Sequence, residues 1–165
     1  MREERGLSEA HKPPQSEFVS EVRETVQQAA DAGFLCAESV LLGLAKAQKV
    51  DSGVVPGMAT VLCSGMGRTC GPCGALTGAL LGLGLAFGRS GPGETVDKAY
   101  AAAQQLVGEF EREFGARDCK ELLGCDIRTA EGVAKFERDG LYQRCDVFVA
   151  TAAKIAARII SERKK

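Results

Sequence analysis

Apolar side chains along this chain return every three or four residues, the period of an amphipathic helix, and no convincing alternating strand appears. Phe18, Val22, Val26 and Ala29 mark one face of a first helix, with Ser16 as its N-cap and Gly33 closing it. A second helix is predicted over about 35–48, with Cys36, Val40 and Leu44 on one stripe. Residues 50–56 read as a link, and 55–65 as a short, weakly helical apolar segment containing Cys63. A glycine-rich helix then runs to Gly88, with Pro72 suited to its first position and Cys73 to its first turn. Beyond Gly91-Pro92-Gly93, the positions Val96, Tyr100, Ala103, Val107, Phe110 and Phe114 trace a long helix ended by Gly115. Asp118 and Glu121 form a capping-box pattern for a short helix over 119–123. Residues 129–138 and 141–161 complete the series, the last carrying Cys145, Phe148, Ala152, Ile155 and Ile159 on one stripe. The pattern predicts an all-α, single-domain helical bundle of about six to eight helices over 16–165, with a Gly-rich central helix. Residues 1–15, charged and without periodicity, read as a flexible N-terminal tail.

Composition removes most kinds of function. The chain has 165 residues, a length that suits one domain. Lys plus Arg is 21 against 22 Asp plus Glu, which argues against a nucleic-acid binder. Aromatics are 5% with no Trp, so base-stacking platforms are not expected. The single histidine, His11, leaves almost no room for His-based metal sites or a Ser-His-Asp triad. Residues 69–88 carry no charge, but their clearly apolar part falls short of the ~20 residues that span a bilayer. They are also interrupted by glycines, each costing about 1 kcal/mol in an exposed helix. A buried core helix is therefore expected, with no membrane span.

What remains is 7 Cys and 20 Gly, so any chemistry falls to cysteine. The N-terminal stretch shows no apolar leader, and the expectation is a reducing, cytoplasmic compartment without a disulfide framework. Cys73 and Cys119 are placed in first turns of helices and Cys36 near the start of another. Free N–H groups and the helix dipole stabilise a thiolate there. Cys73 and Cys119 are therefore expected to ionise more readily than Cys63 or Cys145, which sit in apolar surroundings. They are also expected to lie close together, with Cys36 next nearest. Burial as core is the competing reading, carried most strongly by Cys63 and evenly balanced for Cys145. Cys70-x-x-Cys73 matches half a zinc knuckle or a thiol–disulfide motif, and no second such pair completes a zinc site. Gly74, Gly78 and Gly82 recur every fourth residue. Such a bare face either lets two helices approach closely or leaves a cofactor room, with Gly74 and Gly78 as the candidate contacts.

The run Cys73-Gly74-Ala75-Leu76-Thr77-Gly78 resembles the core of the redox-active protein family labelled by the cysteine signature C_GCAxxG_C_C. Phe34-Leu35-Cys36-Ala37-Glu38 is similar to that family's first cysteine context, and Asp118-Cys119-Lys120-Glu121-Leu122 to its third. Cys145, ahead of a terminal Ala/Ile-rich helix, resembles the fourth; the likeness covers about 18–160. Read literally as Gly-Cys-Ala, the signature is not kept, since position 72 is Pro and 74 is Gly, and Cys63, Cys70 and Cys125 are additional. The resemblance implies an all-helical protein with a bound redox group, such as an iron–sulfur cluster or another thiophilic metal ion. Taken with the helix-start thiols, the four family-like contexts make Cys36, Cys73, Cys119 and Cys145 the expected ligands and electron transfer with a redox partner protein the leading reading. Haem attachment is not expected, because no C-x-x-C-H is present. Two other readings stay open. One is a metal-free thiol-disulfide enzyme in which Cys73 attacks and Cys70 or Cys119 resolves. The other is a structural helical protein that forms a homo-oligomer through its glycine face and keeps its cysteines inert.

Overall fold

Every long periodic segment folds as a helix in the computed structural model, which describes residues 14–163; the expected tail lies outside them up to residue 13, His11 included. The described residues form nine helices and no strand, and six of the helices have at least seven residues. The six long ones are α1 (Pro14–Asp31), α2 (Cys36–Ala47), α5 (Gly74–Phe87), α6 (Asp97–Phe114), α8 (Ala130–Arg138) and α9 (Tyr142–Arg163). Three short ones, α3 (Gly57–Thr60), α4 (Cys63–Arg68) and α7 (Cys119–Leu123), lie between them. Helix α1 begins at Pro14, so Ser16 lies within it rather than capping it; proline at a first helical position has no N–H to waste. No helix among the described residues is long and apolar enough to cross a membrane.

Helix α5 has no charged residue on any face and lies at the centre, packed against α2, α6, α9 and α4. Its glycine stripe faces α2. A Cβ built on Gly78 would lie 2.5 Å from the Ala37 carbonyl oxygen, and one on Gly82 would lie 2.3 Å from Leu44 Cδ1. The stripe is thus consumed by close helix approach inside the chain, which removes it as the surface of the expected oligomer contact. On the far side, Phe110, Phe114 and Phe148 join α6 to α9, with edge-on centroid distances of 4.8 Å from Phe114 to each of the other two rings.

The expected weak helix over 55–65 resolves differently. It becomes α3 and α4, and inside α4 the residues Ser64, Gly65, Met66 and Gly67 are all left-handed, with φ between 54° and 65°. Arg68 and Cys70 follow with φ of 68° and 64°. Left-handed backbone costs an L-residue with a Cβ about 1–2 kcal/mol. Hydrogen bonds hold the turn: the Gly65 carbonyl accepts the N–H groups of Thr69 and Gly71, each at 3.2 Å, and the Thr69 hydroxyl at 3.1 Å.

Pro72 also departs from expectation. It does not open α5 but forms an isolated antiparallel bridge with Asp118. Cys73 N–H donates to the Arg117 carbonyl and Cys119 N–H to the Gly71 carbonyl, both at 2.8 Å. Proline fits here because the bridge uses the donors and acceptors of its neighbours and none of its own N–H. Cys73 is consequently the N-cap of α5, with extended backbone (φ −58°, ψ 133°), and the helix starts at Gly74.

Candidate functional site

Four elements bring their cysteines to one cavity of about 390 Å³. Cys36 comes from the first position of α2, Cys73 from the N-cap of α5, Cys119 from the first position of α7 and Cys145 from the first turn of α9. Each position has its own local cause. The Glu38 carboxylate accepts the Leu35 N–H at 2.8 Å and the Thr60 hydroxyl at 2.6 Å, fixing the start of α2 and tying it to α3. The Pro72–Asp118 bridge sets Cys73 and Cys119 on neighbouring segments of one short contact. Asp118 makes no side-chain cap, so the bridge, not the expected capping box, places Cys119.

Two glycines clear space for the sulfurs. A Cβ on Gly74 would lie 2.2 Å from Cys36 Sγ, and one on Gly65 would lie 2.5 Å from Cys119 Cβ. Both glycines line the cavity. Gly78, the other expected cofactor contact, does not line it and is spent against Ala37.

The electrostatics reorder the expected reactivity. The Cys36 thiol is held below its ordinary value, chiefly by a hydrogen bond from Cys63, with the Ser64 and Ala37 N–H groups also lowering it against burial. Burial pushes Cys73 up and outweighs the N–H groups of Ala75 and Leu76 that favour its thiolate. Burial, then the neighbouring Cys73, Cys145, Cys70 and Cys125, pushes Cys119 up to about 12. Burial and Cys73 push Cys145 up to about 11. Cys119 therefore does not ionise ahead of Cys145: a position at a helix start is outweighed by desolvation in an apolar wall.

The three additional cysteines separate. Cys63 is 2% exposed and stands behind Cys36; its thiol is pushed up chiefly because it donates to Cys36. Cys70 donates to Asp126 Oδ1 at 3.3 Å, and that carboxylate is itself gripped by Arg128 and Lys120. Cys125 is buried, and burial pushes its thiol up. Among the described residues, no group of three or more His, Cys, Asp or Glu side chains is arranged to hold a metal ion. All seven cysteines are free thiols.

Sequence reasoning missed the left-handed turn, which contributes Ser64, Gly65 and Arg68 to the cavity wall. The alternating Gly65-x-Gly67 after Cys63 is the one local signal for it. It also missed the pairing of Cys63 with Cys36, for which the sequence holds no local signal.

The family model described as "Putative redox-active protein (C_GCAxxG_C_C)" matches residues 34–159. No curated protein and no solved structure matches the chain.

Proposed function

The chain belongs to the C_GCAxxG_C_C redox-active family, and on that premise we propose that its cavity is an electron-transfer site. Cys36, Cys73, Cys119 and Cys145 would hold an iron–sulfur cluster or another thiophilic metal group there. One observation carries this reading: four thiols from four separate elements line the same cavity.

The donor set fits a group of several metal atoms better than a single ion. Tetrahedral thiolate coordination at ~2.3 Å puts sulfurs only about 3.8 Å apart, and no three ligand side chains here are arranged for one ion. A cluster spreads its bonds over several metals, and so suits thiols set around a cavity of about 390 Å³. When bound, such a group supplies one-electron transfer at a potential set by burial and by hydrogen bonds to sulfur.

The chain's own residues prepare that environment. Ser64 and Ala37 aim N–H groups at Cys36, and Ala75 and Leu76 aim theirs at Cys73, where they hold negative charge on sulfur. Leu122, Leu123, Phe148 and Val149 wall the cavity with apolar surface and restrict water. Gly74 leaves the room Cys36 needs, and Gly78 acts at one remove by letting α5 settle on α2. Because burial keeps Cys73, Cys119 and Cys145 protonated near neutrality, loading a metal releases protons and becomes easier as pH rises. Electrons would pass to a redox partner protein, and seven free thiols suit a reducing compartment such as the cytoplasm.

Anaerobic purification and reconstitution with iron and sulfide, followed by metal analysis and visible spectroscopy, tests the proposal. The expected result is bound iron with broad visible absorption, lost in both Cys73→Ser and Cys119→Ser. A colourless protein without iron, copper or zinc after reconstitution overturns it.

A further inference from the structure

Two cysteines meet at the start of α2, and only one of them, Cys36, also belongs to the four-thiol set. Cys63 S–H donates to the Ala59 carbonyl at 3.5 Å, and the Cys36 side chain packs against Cys63. Gly74 marks the same spot from α5: its absent Cβ would lie 2.2 Å from Cys36 Sγ and 3.1 Å from Cys63 Cα. Three elements therefore bring the two cysteines into contact. Access differs between them. Cys36 lines the cavity and is only partly buried, whereas Cys63 is 2% exposed and does not line it.

We infer that Cys36 and Cys63 are a peroxide-reactive dithiol, with Cys36 as the attacking thiol and Cys63 as the resolving one. Cys36, as its thiolate, attacks one oxygen of a small peroxide ROOH. The O–O bond breaks, RO⁻ leaves and takes up a proton to give ROH, and Cys36 becomes a sulfenic acid. The Cys63 sulfur then attacks Cys36 Sγ, the S–OH bond breaks, and the hydroxyl leaves with the Cys63 proton as water. Two thiols have lost two electrons to the peroxide, and one disulfide joins α2 to α4. The small size of the oxidant matters, because it must reach Cys36 through the cavity. Where the four cavity thiols hold a metal group, closure withdraws Cys36 from it; that consequence alone rests on the function proposed above.

The test uses the full chain, reduced and freed of metal with a chelator, so its outcome is independent of cluster binding. After one equivalent of hydrogen peroxide, non-reducing digestion and mass spectrometry should find the Cys36–Cys63 peptide pair as the main product. Cys63→Ser should accumulate a Cys36 sulfenic acid trapped by dimedone. Cys125→Ser, outside the cavity lining, should still close the Cys36–Cys63 bond at an unchanged rate. Circular dichroism checks that each variant is folded, and the mapping on the unaltered chain needs no variant. Cys36 paired mainly with Cys73, or Cys36 left reduced while another thiol is oxidised, overturns the inference.

Discussion

Glycine does opposite things in two regions of this molecule. In the frame of α1, α2, α5 and α9 it removes a side chain so that regular helices can touch: Gly43 against Val26, Gly78 against Ala37, Gly82 against Leu44. Along the rim, from α3 through the bridge to α7, Gly65 and Gly67 adopt backbone that side chains resist, and Gly65 also clears room beside Cys119. The frame follows local rules throughout, whereas the rim breaks them at Ser64, Met66, Arg68 and Cys70. Strain of this kind persists only where the surrounding structure over-determines it, and here it borders the cysteine cavity. Regular helices set the position of the site, and irregular backbone turns the N–H of Ser64 onto the Cys36 sulfur.

The largest effect should come from testing the frame within a single helix. Gly78→Ala puts a Cβ 2.5 Å from a backbone oxygen that cannot swing aside, so a loss of about 2 kcal/mol or more is expected. Gly84→Ala, on the same helix but with nothing within 4 Å of the added Cβ, should instead gain about 0.5–1 kcal/mol from helix propensity. Urea unfolding of both variants measures the pair. A neutral Gly78→Ala would mean that the glycine does not set the spacing of α2 and α5.

How the chain disclosed itself follows the same division. The frame was legible because its stripes, such as Val22 and Val26 on α1 or Phe148, Ala152, Ile155 and Ile159 on α9, repeat with the helical period and are buried as that period requires. The likeness of four cysteine contexts to one family was legible too, and the family model matches residues 34–159. The rim was not. Pro72 after Gly71 has the local look of a helix start, and only a partner distant in sequence, Asp118, turns it into a bridge. Ser64, Met66 and Arg68 carry side chains that give no hint of left-handed backbone. The ionisation order held for Cys119 against Cys63, whose thiol is pushed higher still, but gave no advantage over Cys145. The reason is related: helix-start positions can be read locally, but the burial that outweighs them at Cys73 and Cys119 is a property of the assembled wall.

An intermediate effect reverses the sign of the glycine rule in the rim. Met66 has φ of 56° and is 42% exposed, so it bears left-handed strain while burying little. Met66→Gly should stabilise the chain by about 1 kcal/mol, despite the added freedom of glycine in the unfolded state. Glycine out at Gly84 and glycine in at position 66 should thus both stabilise, which sharpens the contrast between frame and rim. If Met66→Gly instead destabilised the chain by about 1 kcal/mol or more in the same urea titration, the side chain would be contributing packing that outweighs its backbone strain.

The smallest effect asks what surface charge adds to the frame. Arg158 on α9 donates to Glu109 on α6 and also reaches Glu162 at 3.1 Å, while Gln105 donates to Glu109 at 3.0 Å. Arg158, beside Glu109, holds its carboxyl below the usual range. The two side chains remain 25% and 39% exposed, so solvent screens the pair and about 0.5 kcal/mol is the expected worth. Because the folded carboxyl binds its proton less tightly than the unfolded one, the contribution is fully present above the unfolded value of about 4.3. It is lost as pH falls through the lower folded value. Glu109→Gln should therefore cost about 0.5 kcal/mol near neutral pH, with the deficit shrinking in ~1 M salt and closing in strong acid. A deficit that survives both treatments would assign the loss to packing between α6 and α9, and the frame would then owe its stability to shape alone.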